Sequence, residues 1–340
     1  MGGDHGCEVA IGGVKQALDA DQAITALFLV GSEGEIRGAL QKVRLDDPRV
    51  EIIHASEVLT MEDKPLEGIR RKKDSSMARA IELVRDGKAD AVISVGNTGA
   101  LVAGSLKLRR LDGIERPALA ARMPSRKNDF VLIDAGASPV CEPPHLAQFA
   151  VMGSIYAREI LGQKNPRVGI LSNGSEETKG NELTRVAARL CSQLDLNFIG
   201  YVEGFDLFED AVDVVVADGF TGNVVLKTAE SLGYAMMHLL RNELAATPLR
   251  KLGALFARGA LLGINHRLDP EVYGGAVLLG LNGNVIKAHG SARERAMMNA
   301  IRVATGEITH GVNQIISQQI ARANELLAVA ETAVSPSVPA

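Results

Sequence analysis

Val212-Asp213-Val214-Val215-Val216-Ala217-Asp218-Gly219-Phe220-Thr221-Gly222-Asn223 is the stretch that decides the fold. Its first half is apolar almost throughout, as a strand buried on both faces should be. Its second half turns on glycine and small polar residues, then opens a helical pattern over 223–243. A strand, a glycine turn and a helix in that order form the repeating unit of a sheet covered by helices.

The unit recurs along the chain. Apolar runs at 26–31, 50–54, 91–95, 130–134, 168–171, 198–202 and 285–289 read as strands, with 118–121 as a further one. Helical spacing runs over 8–19, 75–85, 100–111, 145–161, 181–194 and a last stretch, 291–332. The expectation is an α/β protein with a largely parallel sheet, one domain over 1–332 or two lobes sharing the sheet. A disordered tail is expected at 333–340.

Composition narrows the function. A net charge of −4 over 340 residues offers no basic field for nucleic acid. Cys7, Cys141 and Cys191 form no C-x-x-C pair, which fits a reducing compartment. The seven histidines make no H-E-x-x-H, so neither a metal nor another cofactor is expected. With no signal-peptide pattern and no long apolar run, the address read from the sequence is the cytoplasm.

The turns at the strand ends are more informative. They are Gly96-Asn97-Thr98-Gly99, Asp134-Ala135-Gly136, the stretch Gly174 to Asn181 with Lys179 and Gly180, Asp218-Gly219-Phe220-Thr221-Gly222-Asn223, and His289-Gly290-Ser291. The opening Gly3-Asp4-His5 reads as a similar strand-to-helix turn. Glycine lets the backbone approach a ligand, and the helix after it offers unpaired N–H groups and a partial positive charge. Each turn alone is ordinary turn chemistry; several meeting in one crevice would make an anion site. Lys179 and Lys227 flank two of the helix starts, either as solvated surface groups or as point charges for phosphate. No G-x-G-x-x-G, P-loop or G-x-S-x-G occurs, which removes the dinucleotide, P-loop and serine-hydrolase readings.

Several stretches together resemble one family, the PlsX-type phosphate acyltransferases of bacterial phospholipid synthesis. They are Met1-Gly2-Gly3-Asp4-His5, Lys73-Asp74-Ser75-Ser76-Met77, Gly96-Asn97-Thr98-Gly99-Ala100, Gly113-Ile114-Glu115-Arg116-Pro117-Ala118 and His145-Leu146-Ala147-Gln148-Phe149-Ala150. Further on come Lys179-Gly180-Asn181-Glu182-Leu183, Asp218 to Thr228, Tyr273-Gly274-Gly275-Ala276 and Lys287-Ala288-His289-Gly290-Ser291. The resemblance implies a three-layer α/β/α fold like that of isopropylmalate dehydrogenase, a homodimer and peripheral membrane association. It implies transfer of a long-chain acyl group from acylated acyl carrier protein to inorganic phosphate. The chain departs from the family pattern in lacking an apolar strand before Met1, at Leu171-Ser172-Asn173-Gly174, and at Gly136-Ala137-Ser138-Pro139.

A thiolate leaves readily, so phosphate can attack the thioester without a covalent enzyme intermediate; the protein must position the anion and stabilise the oxyanion. Lys179 and the 96–99 and 219–223 turns are expected to position phosphate, with Asn223 polarising the carbonyl. His5 and His289 are candidates to protonate the leaving thiol, set against a turn-capping role. Leu249, Leu252, Phe256 and Leu262 fall near helical spacing, with Arg250, Lys251 and Arg258 off that stripe. Such a face lies on an anionic bilayer, with Leu252 and Phe256 as contacts, or packs in a dimer or core. Arg70-Arg71-Lys72-Lys73 and Arg109-Arg110 are solvated runs or steer an acidic carrier protein.

Overall fold

The computed structural model describes residues 3–334; of the tail expected at 333–340, positions 333 and 334 instead end the last helix, and 335–340 lie outside the described residues, as do Met1 and Gly2 of the opening turn. From the amino end the elements are α1 (Gly6–Ala20), β1 (Leu27–Gly31), α2 (Glu33–Val43), β2 (Val50–His54), α3 (Pro65–Arg71), α4 (Ser76–Arg85) and β3 (Ala91–Ser94). Next come α5 (Thr98–Ser105), β4 (Ala118–Pro124), β5 (Asp129–Ile133), α6 (Pro143–Glu159), β6 (Val168–Leu171), α7 (Glu182–Cys191), β7 (Phe198–Val202) and β8 (Val214–Val216). The last are α8 (Gly219–Ala245), α9 (Pro248–Phe256), α10 (Arg258–Leu268), β9 (Ala276–Leu279), β10 (Asn284–Lys287), α11 (Glu294–Thr309) and α12 (Val312–Val334).

Eight strands form one sheet in the order β3-β10-β9-β4-β5-β8-β6-β7, while β1 and β2 pair in parallel apart from it. The sheet is three layers deep with its helices. On one face α6, α11 and α12 pack around Val131, Ile133 and Val214; on the other, α4 and α5 pack around Leu132, Val215 and Val285. The central helix is α6, buried from His145 to Ala157 because most of its residues there are apolar or small, with His145 and Gln148 hydrogen-bonded to neighbouring groups. A Cβ at Gly153 would sit 2.6 Å from Val214 Cγ1, so a side chain there would push this helix off the sheet.

The sheet is mixed, and the mixing matters for the site. β3 and β10 run parallel, as do β5, β8, β6 and β7. Between these blocks β9 is antiparallel to both β10 and β4, and β4 is antiparallel to β5. The two parallel blocks therefore point in opposite directions. The glycine turns, expected to meet in one crevice, leave the sheet by two opposite edges.

α8 to α10 form an arm. Of their residues only Gly219 and Gly222, at the root of α8, are buried. The single amphipathic stripe expected over 249–262 is split at Ala257 between α9 and α10. Among the described residues no helix is long and apolar enough to cross a membrane.

Candidate active site

The root of α8 explains how turns from opposite edges meet. Asp218 caps the helix, accepting from the N–H groups of Phe220 and Thr221 and from the Thr221 hydroxyl at 2.7 Å. Gly219 N–H donates to Ser138 O, tying the helix start to the 134–138 turn at the end of β5. A Cβ at Gly222 would lie 1.9 Å from Asp134 O, so glycine is required for this approach. Asn223 then stands over Gly136, whose φ of +137° admits no ordinary side chain. One helical turn later, roughly 6 Å along the axis, Lys227 Nζ lies 3.5 Å from His289 Nε2 at the end of β10. The helix bridges what strand direction separates.

Beneath α8 opens a cavity of about 1380 Å³. Its polar end carries Asn223, Gly136, Lys227, Lys287, His289, Thr98, Gly99 and His5. Its apolar wall runs along β4 from Leu119 through Ala121 to Met123, with Leu207, Phe208 and the inner residues of the arm, Leu232, Tyr234, Ile264 and Leu268. From Leu119 to Pro124 the strand covers about 16 Å, and Phe208, edge-on to Phe130 at 6.0 Å, stands on the Pro124 side. Arg122 also borders the cavity, held by Asp129 at 2.6 Å and lying 5.4 Å over the Tyr273 ring.

The polar end holds two ammonium groups, Lys227 and Lys287, and the Glu230 carboxylate. Lys227 donates to Glu230 at 2.8 Å, and the His289 Nδ1 atom lies 2.7 Å from Ser291 Oγ. Partial burial and the Lys227 charge lower the His289 pKa, so its ring is neutral near pH 7. Lys287 closes β10 just after the buried Val285 and Ile286, and burial, helped by Lys227, takes its ammonium down to about 8.

Seven of the residues expected from sequence border this cavity: His5, Thr98, Gly99, Gly136, Asn223, Lys227 and His289. The others serve its walls or lie outside its lining. Asn97 caps α5 and donates to Met61 O and Asp63 O, tethering the neighbouring loop. Asp134 is fully buried and accepts from four backbone N–H groups, those of Leu119, Gly136, Ala137 and Ser138. Burial raises its pKa and those four donors oppose the rise, so its carboxyl holds the turn in shape. Gly3 packs on Val95, and Asp4 N–H donates to Gly290 O beside His289.

Lys179 is exposed in the 172–181 loop and is absent from the cavity lining. Gly180 N–H donates to Asn173 Oδ1 and Asn181 makes a capping box with Thr184, while Gly174 packs under Lys179 Cγ. Leu252 and Phe256 are 51% and 83% exposed on α9, with Leu249 and Leu255 on the same helix exposed as well. Lys287 is not among the site residues expected from the sequence, although it opens the Lys287–Ser291 stretch and ends the apolar run Val285-Ile286.

Known proteins resemble this chain both in sequence and in fold. A family model described as fatty acid synthesis protein matches residues 1–315. A protein named phosphate acyltransferase from Syntrophotalea carbinolica is 44% identical over 325 residues, covering 95% of this chain and 93% of its own. One of the same name from Pelotomaculum thermopropionicum is 46% identical over 321 residues, covering 94% and 93%. Among solved structures, a phosphotransacetylase from Streptococcus pyogenes superposes over 90% of this chain and 92% of its own with a TM-score of 0.58. At 20% identity that likeness concerns the fold alone.

Proposed function

Because this chain belongs to the PlsX-type phosphate acyltransferase family, we propose that it moves a long-chain fatty acyl group from acyl carrier protein to inorganic phosphate. The observation that carries the proposal is one cavity with two characters. A polar end with the Lys227 and Lys287 ammonium groups beside His289 opens into an apolar wall far larger than a short acyl group needs. An anion and a chain placed there meet at Asn223.

In the proposed reaction hydrogenphosphate sits against the Lys227–His289 end. The Asn223 amide, one turn away, donates to the thioester carbonyl and to the oxyanion that forms there. A phosphate oxygen bonds to the carbonyl carbon and the C–S bond breaks. The proton of hydrogenphosphate passes through neutral His289 to the departing thiolate, so the products are acyl phosphate and free thiol. The acyl chain lies along β4 under the arm, which shields the reacting carbonyl from water. The test is thiol release from long-chain acyl carrier protein with and without phosphate, run beside long-chain and acetyl coenzyme A. Release that depends on phosphate and favours the carrier-bound long chain supports the proposal, and equal rates with acetyl coenzyme A would refute it.

A further inference from the structure

We infer that Lys287 is the fixed cation on which inorganic phosphate docks, a residue-level assignment that rests on the acyl-to-phosphate reading above. The geometry is that of a charged group waiting for a partner. Val285 and Ile286 before it are fully buried, and Lys287 itself is 9% exposed at the edge of the cavity. Its Nζ donates to the carbonyl oxygen of Ala288. An ammonium carries three donors, and no other acceptor for Nζ is found among the described residues. No carboxylate among them forms an ion pair with it, whereas Lys227 is already held by Glu230 at 2.8 Å. A buried donor without an acceptor is costly, and a buried charge without a counter-charge more so.

The surroundings deepen the deficit. Lys227 and Glu230 face Lys287 from α8, Asp4 from the segment before α1, and His289 from just beyond β10. Lys227 opposes its charge, while Asp4 and Glu230 favour it without bonding to it. Burial is the largest influence on its proton and brings the pKa to about 8. A phosphate dianion would accept both free N–H groups and supply the missing charge, so anion binding and retention of the proton reinforce each other. Lysine suits this role because a tetrahedral anion needs a compact charge rather than a planar fork.

The experiment measures inorganic phosphate affinity by calorimetry, and its KM in thiol release, from pH 6.5 to 9.5 for wild type and Lys287→Met. The methionine fills the same buried channel without a charge. In the variant, phosphate affinity should fall roughly 10- to 100-fold, the loss of a charged hydrogen bond, with the acyl-donor KM unchanged. In the wild type, phosphate affinity should weaken as pH passes about 8, where phosphate is already the dianion and His289 is already neutral. The variant should lose that pH dependence. Wild-type phosphate affinity in Lys287→Met would overturn the assignment; should the variant fail to fold, a flat wild-type profile from pH 7 to 9.5 would overturn it equally. A wild type that binds phosphate in this pH-dependent manner yet releases no thiol would sink the acyl-transfer reading and leave Lys287 as an anion site.

Discussion

Glu307 offers a quantitative check on the packing of α11. Its side chain is 1% exposed, and neither carboxylate oxygen has a hydrogen-bond partner. Burial raises its pKa from the ordinary 4.5 to about 8. In the native state the proton therefore stays on until about pH 8, while the unfolded chain releases it near 4.5. Between those values the native state binds more protons, so stability falls as pH rises, by about 1.4 kcal/mol per pH unit. The loss is absent below pH 4.5, reaches roughly 3 kcal/mol at pH 7, and levels off above about 8. Glu307→Gln keeps the shape and removes the titration. Urea midpoints at pH 4.5, 6, 7 and 8 should coincide for the two proteins at the lowest pH and diverge in favour of the variant above it. Parallel curves, or a variant no more stable at pH 7, would show that Glu307 finds a counter-charge or reaches water, and the burial argument would fail.

The root of α8 and its arm carry further consequences. Gly222→Ala forces a methyl group onto Asp134 O and should lower stability by about 1–3 kcal/mol, with a matching loss of acyl transfer as Asn223 moves off Gly136; thermal melting and turnover check both. Asn223→Ala should slow acyl-phosphate formation by roughly 10²–10³-fold at an unchanged melting temperature, and near-normal turnover would remove its carbonyl role. The apolar face of α9 should bind anionic bilayers, so a Leu252→Asp, Phe256→Asp double variant should no longer co-sediment with liposomes. Unchanged sedimentation would assign that face to another contact, and loss of a dimer on gel filtration would identify a second copy as its cover.

Much of the fold was legible because buried strands and amphipathic helices carry their period in the residues themselves. Val50–His54, Val168–Leu171 and Phe198–Val202 fall where the apolar runs put them. Direction was not legible. Ala276–Leu279 is four residues long, enclosed by Gly274-Gly275 and Gly280, and passed unread. Its antiparallel place between β10 and β4 turns the two parallel blocks against each other. Strand pairing is a tertiary choice that no local pattern records. The site was legible in kind, since glycine turns and helix starts do frame the cavity, but the division of labour within them was hidden. Asp134, Asp218 and Asn97 look like ligands in sequence and are occupied by backbone N–H groups in the fold. Lys287 looks like one lysine among many and gains its character chiefly from burial, with the Lys227 charge beside it.

Phosphate titrated into a long-chain acyl carrier protein thioester, with thiol and acyl phosphate counted together, tests the central claim most directly. The account predicts one acyl phosphate for each thiol, a rate that saturates with phosphate, and both products slowed together in Asn223→Ala. Thiol appearing at the same rate without phosphate, with free fatty acid in place of acyl phosphate, would contradict it.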